Sequence, residues 1–327
     1  MDRVPAHGIS GWIARVRAPF FTATLIPIVL GGVAAWVYTG TLHVGRFLLT
    51  LLGGLLLHAG ANLINDYFDH LSGADRLNRQ AIAPFTGGGP ALQLGLITPR
   101  RARNEALAYF AAGGLIGLYL AWASFHGQGQ RLADRMVCEA LGPQVPWVLV
   151  IGALGVLTGI FYTAHLAPLG LGEVALFLDF GPLMVLGTWV VQTGSPAWTP
   201  VWVSLPVAFL ISNVLWINQF PDAVADAQVG KRHWVVRLGR KRALSIYGGL
   251  FLAAYLSLAA TWLAGLTPVW TLLALLPAPL AWRAWRVARV NYDRMPELAP
   301  ANALTVQTHL LTGVFLIVGY LIQGLIG

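Results

Sequence analysis

"RFLLTLLGGLLLHAGANLINDYFDHLSGAD", residues 46–75, decides the fold class. After Arg46 it opens as an apolar run, mostly Leu, Gly and Ala, long enough to cross a hydrocarbon layer. It closes on Asp66, Asp69 and Asp75 with no Lys or Arg among them. Alternating polarity, the mark of a membrane β-strand, is absent from it. The stretch reads as a membrane-spanning helix whose last turns carry a block of negative charge.

The whole chain repeats the first half of that pattern. Its 327 residues are 57% hydrophobic and 10% charged, against about 25% charged for an ordinary soluble domain. Apolar windows of spanning length fall at 18–38, 46–65, 105–125, 146–164, 171–193, 199–219, 243–264, 268–287 and 303–325. The expected architecture is an all-α polytopic membrane protein. Nine transmembrane helices would form one bundle and one domain, 1–327. The first window reads as a retained helix, not a cleaved signal. The single cysteine, Cys138, cannot form an internal disulfide.

Charge gives the bundle a direction. Eighteen of the 21 Lys and Arg residues lie before the first window or in or beside the second, sixth and eighth connections; only Arg46, Arg131 and Arg135 lie opposite. The positive-inside rule then puts the N-terminus in the cytoplasm. A net charge of +8 distributed this way is a topology signal, and no nucleic-acid partner is expected. The stretch 126–145 reads as a solvated connector, with room for a short interfacial helix.

Acids are scarce, 13 in all, and five fall in two matching places. Asp66, Asp69 and Asp75 follow the second window; Asp222 and Asp226 follow the sixth. Helical rotation of about 100° per residue gathers Asn62, Asn65, Asp66 and Asp69 within roughly 100° of arc. Asn218, Asp222 and Asp226 step by four into a second stripe. Such oxygen-rich stripes suit a hard cation such as Mg²⁺, completed by phosphate oxygens. The bland alternative is a pair of solvated helix ends, though like charges at close range call for neutralisation. Arg76 and Lys231 could grip diphosphate oxygens, or anchor loops to anionic lipid. The glycine-rich segment 84–99 could cap a phosphate or merely connect; its spacing matches no P-loop or dinucleotide fingerprint. The matching clusters also suggest two parallel four-helix halves plus a ninth helix.

"NLINDYFDHLSGAD" (62–75) and "NQFPDAVADAQVGKRHWVVRLG" (218–239) together resemble the UbiA-type superfamily of intramembrane prenyltransferases. The superfamily pattern Asn-x-x-x-Asp-x-x-x-Asp is met at Asn65 and Asp69, with Gly73 in the third place and Asp75 two residues later. That variant, with "GLGEVALFLDFGPLMVLG" (170–187), resembles the branch that prenylates 1,4-dihydroxy-2-naphthoate for menaquinone. Tyr162 is followed by His165, where many members carry a fixed cation.

The resemblance implies transfer of a polyprenyl group from its diphosphate to an aromatic acceptor, in the inner (plasma) membrane, from a site facing the cytoplasm. Mg²⁺ would sit on Asp66, Asp69, Asp222 and Asp226 with Asn65. Asn62, Asn65, Asn218, Arg76 and Lys231 would meet the diphosphate. Asp75 would serve as base or acceptor-positioning group. Tyr67, Phe68, Phe161 and Tyr162 are candidates to face the prenyl cation, and Glu173 and Asp179 are acids in or near a span with a possible site role. Other acceptors (4-hydroxybenzoate, homogentisate, haem or a sugar phosphate) and a cation-coupled transporter are the alternatives.

Overall fold

The computed structural model describes residues 8–126 and 146–326. Arg3, Cys138, Arg131, Arg135 and the connector 127–145 lie outside the described residues. Within them the regular structure is helical. Eight helices are long and apolar enough to cross a membrane. They are α1 (Ala18–Thr39), α2 (Val44–Ser72), α3 (Pro99–Ser124), α4 (Trp147–Leu169), α5 (Gly172–Thr193), α6 (Thr199–Gln228), α7 (Arg240–Leu263) and, at the end of the chain, α9 (Met295–Ile326). The window at 268–287 differs from the rest. It is built in two pieces, a 3₁₀ segment Val269–Leu275 and the helix α8, Ala278–Asn291. Pro268 and Pro277 stand before the two pieces. A backbone without those N–H donors restarts rather than continues.

Several helices outrun their apolar windows. Helix α2 has 29 residues, about 43 Å at 1.5 Å per residue, against a hydrocarbon core of about 30 Å. Its polar last turns therefore project beyond the apolar layer while remaining helical. It stops at Gly73, whose φ of 82° gives a left-handed cap with its N–H bonded to the His70 carbonyl. Helix α6 behaves alike, running through the second acidic stripe before the turn at Gly230, φ 82°.

Helix α6 is the central strut. Of its apolar window 72% is buried, against 11% for α4. It packs on α1, α5, α7 and α9. One apolar core lies where α1, α5, α6 and α9 meet, around Leu30, Val185, Val207 and Tyr320. A second joins α6 to α7, α8 and α9 around Ile217, Phe220, Tyr247 and Leu298. A third seats the first helix, Gly8–Arg15, and the end of α2 against α3, through Val16, Leu63 and Phe110. Leu115, Leu252 and Leu256 instead point outward, 57–67% exposed, as lipid-facing side chains do.

Close helix approach depends on glycine. A Cβ on Gly31 of α1 would stand 2.7 Å from the Val185 carbonyl oxygen and 2.9 Å from Thr188 Cβ on α5. Gly31→Val should therefore force α1 and α5 apart, costing about 1–3 kcal/mol by overpacking. Gly114→Ala, where no neighbour lies within 4 Å, should be neutral or stabilising. Thermal melting of the two purified variants in detergent checks the contrast.

Candidate active site

The polar ends of α2 and α6 face one another across a cavity of about 260 Å³. Asn62, Asn65 and Asp69 line it from α2, and Asn218, Asp222 and Asp226 from α6. Asp75 and Lys231 come from the connections that follow these helices. Both stripes thus reach one cavity, except that Asp66 is buried outside its lining, against Arg17 and Gly89.

Each side chain is held. The Asn65 amide donates to Thr163 Oγ1 on α4 at 2.6 Å, which leaves its carbonyl oxygen free of that bond. Asn62 donates to the Val16 carbonyl at 2.8 Å and so ties the N-terminal segment to α2. Asn218 accepts from Asn302 of α9 at 2.8 Å. Lys231 donates to Asp69 and lies 3.7 Å from Asp226, so one ammonium links the two stripes. Burial opposes its charge, but Asp69, Asp226 and Asp222 outweigh that and raise its pKa above the ordinary lysine range. Asp75 has the opposite fate. Burial, reinforced by the Asp69 and Asp66 charges, pushes its carboxyl up to about 7.

Other groups complete the wall. Arg17 lines the cavity, with its guanidinium 3.7 Å from Asp66. Its φ of 52° is left-handed, a conformation that costs about 1–3 kcal/mol outside glycine and concentrates at functional sites. Asn78 donates to Asp222 at 2.5 Å, and His233 Nε2 lies 3.2 Å from Asp226. The segment 84–99 does reach the site: Phe85, Thr86, Gly87 and Gly88 line the cavity. Gly88, φ 69°, lies against the Asp75 carboxylate, and Gly89 lies against Asp66.

Five further expected positions fall elsewhere. Tyr67 and Phe68 contact each other and pack into the α2–α3 core, away from the cavity. About 100° per residue sets Tyr67 on the far side of α2 from Asn65 and Asp69. Arg76 is exposed and outside the lining. Glu173 is buried one layer behind the wall, accepting from Gln219 Nε2 and from the Trp234 N–H, both at 3.0 Å. Phe161 is 44% exposed. Tyr162 lines the cavity. Arg17, Asn78 and His233 went unread as site groups. Their signal was limited to a basic residue at the threshold of α1 and polar residues just beyond each acidic stripe.

The donor set is hard oxygen throughout the stripes. Buried carboxylate oxygens on Asp66 and Asp75 have no hydrogen-bond partner. No three of the described acids, His or Cys converge into a ready-made cage. Those features fit Mg²⁺, which takes one or two carboxylates and completes its shell with water and substrate phosphate.

Five lining residues, His58, Ala61, Gly159, Asp179 and Phe180, also border a second cavity of about 200 Å³, and so form the neck between the two. That chamber is almost entirely apolar, and glycines such as Gly53, Gly113, Gly155 and Gly187 form much of its wall.

Residues 136–303 match the UbiA prenyltransferase family. The chain belongs to that family. It is 30% identical over 277 residues to the 1,4-dihydroxy-2-naphthoate octaprenyltransferase of Mycobacterium tuberculosis, covering 84% of each chain. Identity to the octaprenyltransferase of the same name from Escherichia coli is 28%, over 94% of both chains. The 2-carboxy-1,4-naphthoquinone phytyltransferase of Synechocystis is 26% identical, over 94% of this chain and 92% of that one. A UbiA homologue from Aeropyrum pernix, solved in apo form, shares the fold with TM-score 0.64 at 19% identity, over 91% of this chain and 97% of that one. A UbiA homologue from Archaeoglobus fulgidus bound to DMAPP and Mg²⁺ gives TM-score 0.59 at 14% identity, over 93% and 98%.

This UbiA prenyltransferase is therefore a multi-pass membrane enzyme, and the carrier alternative is set aside. Its glycine segment offers a direct test of the site. In Gly89→Ala a methyl group meets the Asp66 carboxylate, so the loop cannot seat. A loss of about tenfold or more in kcat/KM is expected, with faster tryptic cleavage at Arg79. Gly45→Ala, with open space around it, should change neither.

Proposed function

We propose that the enzyme transfers a polyprenyl group from its diphosphate to 1,4-dihydroxy-2-naphthoate, with loss of the acceptor carboxylate as CO₂, for menaquinone synthesis. The observation that carries this reading is the adjacency of the two cavities, which share five lining residues. An oxygen-rich mouth opens at one end of the bundle, and an apolar chamber adjoins it between the spans. A polyprenyl diphosphate has the same two-part chemistry. The naphthoate acceptor is supported by the printed activities of the relatives and by Gly73 and Asp75 in place of a third evenly spaced aspartate.

In this reading the whole chain acts as one catalytic unit in the inner (plasma) membrane. The mouth faces the cytoplasm, as the basic residues direct. Asp66, Asp69, Asp222 and Asp226 would hold Mg²⁺, with Asn65 and Asn218 as neutral oxygen donors. When bound, the metal supplies the positive charge that lets a polyanion approach carboxylates and leave as diphosphate. Lys231 exchanges its carboxylate partners for diphosphate oxygens, and Arg17 adds a planar, permanently charged donor. The glycine segment covers the mouth and excludes water, which would otherwise trap the allylic cation. Tyr162 offers its ring face to that cation. Asp75, held near neutrality at its carboxyl, is placed to meet the acceptor.

The assay is purified protein in detergent with Mg²⁺, radiolabelled polyprenyl diphosphate and a panel of aromatic acceptors. Naphthoate product is expected, lost on chelation and restored by Mg²⁺. Asp69→Asn and Asp222→Asn should each lower kcat/KM by about 10²–10³-fold. Near-wild-type rates in both would remove the metal assignment. Preferred turnover of a different acceptor would remove the naphthoate assignment and leave the metal site standing.

A further inference from the structure

Asp179 is the acid this chemistry has not used. It lies within span α5, where a carboxylate is costly and marks a functional position by default. It borders both cavities, at the neck between the polar mouth and the apolar chamber. One oxygen, Oδ2, accepts a hydrogen bond from Thr158 of α4. The other, Oδ1, is buried with no hydrogen-bond partner. A hydrocarbon tail passing this point offers it nothing, and a buried oxygen left unpaired carries the full cost of its lost hydration.

The backbone here is shaped around the neck. Asp179–Leu183 is a π-turn, with Gly181 in a non-helical conformation followed by Pro182. The facing span has its own π-turn, Tyr162–Leu166, one helical turn beyond Thr158. Single π-turns inside α-helices are frequent at functional sites. Irregular backbone within a membrane is tolerated where it lines a cavity or is buried in protein. Gly181 has no room for a Cβ against Ala208 of α6, so this irregular shape is packed in place. Both deviations bear on the same point, where Thr158, Tyr162 and Asp179 border the mouth cavity.

We propose that Asp179, set by Thr158, is a specificity-determining residue that accepts a hydrogen bond from a ring hydroxyl of the aromatic acceptor. This rests on the prenyl-transfer reading above. A hydroxyl donor satisfies Oδ1 where a prenyl tail cannot. It also fixes the acceptor ring at the neck, where the head of the prenyl chain must pass from mouth to chamber. No proton or electron transfer is assigned to Asp179.

The test measures steady-state constants for wild type, Asp179→Asn and Asp179→Leu with three acceptors: 1,4-dihydroxy-2-naphthoate and the 1-hydroxy and 4-hydroxy monohydroxy analogues. The KM for polyprenyl diphosphate and the melting temperature are followed in parallel. Asp179→Leu should raise the dihydroxy-acceptor KM about tenfold or more, because a site built to bond a hydroxyl loses most when that bond is absent. Asp179→Asn, which keeps an acceptor oxygen, should recover part of this. One monohydroxy analogue, lacking the bonded hydroxyl, should show the same KM in all three proteins. An equal loss with every acceptor, or a rise in the diphosphate KM instead, overturns the inference and makes Asp179 a packing or tail-binding residue. Wild-type turnover with no hydroxylated aromatic at all overturns the underlying reading as well.

Discussion

One ammonium between two helix ends organises the site. Lys231 bonds Asp69 at the end of α2 and stands beside Asp226 at the end of α6. Asp66, Asp69 and Asp226 are each no more than 9% exposed. Carboxylates so buried and so close repel strongly, and solvent screens them poorly. Lys231 relieves the repulsion across the gap, and Arg17 relieves it behind α2. Yet Arg17 and Lys231 are outnumbered in the cavity wall by Asp69, Asp75, Asp222 and Asp226. The excess is a standing negative field at a concave mouth. Such a field concentrates cations, and it adds to the larger effect of burial in raising the carboxyl of Asp75 to about 7.

That electrostatic frame explains which parts were legible in the sequence. Spans were readable because hydrocarbon imposes length and apolarity on each one, and among the described residues eight helices are long and apolar enough to cross it. The stripes were readable because a helix repeats its faces, and both stripes carry short oxygen-bearing side chains at that period. The same rotation already argued against Tyr67, whose place opposite Asn65 needs no structure to work out. The broken window at 268–287 was marked by Pro268 and Pro277. Apolarity alone hid it, because a 3₁₀ segment and a helix in series have the same composition as one helix.

Tertiary closure was not legible. Arg17 reaches Asp66 only because a left-handed residue turns the chain between the first helix and α1. Asn78 meets Asp222 across 144 positions of sequence, and no local period records such a pairing. Glu173 illustrates the reverse case. Its place in or near a span suggested chemistry, but its Oε1 is taken by Gln219 and Trp234, so it braces α6 and the segment after it. A buried acid is a sign that something pairs with it, and only the fold says whether the partner is protein or ligand.

The two cavities impose an order on any ligand that carries both a phosphate head and a long tail. Reversed, the head would leave a polyanion in an apolar chamber, which is prohibitive. The tail would then sit among carboxylates and gain nothing from burial. The right way round, both ends are satisfied, and the bond joining them is held at the neck. The enzyme thus orients its donor by sorting polarity along one axis, with no need for a residue that recognises the reacting carbon. Beside Asp75 at the mouth, selectivity for the second substrate then rests on the polar groups that stand at the neck itself. Around it, among the described residues, His58 is paired to Thr24 at 2.7 Å, and Ala61, Gly159 and Phe180 offer no polar side-chain group. Asp179 is left as the side chain there with an oxygen still to be satisfied.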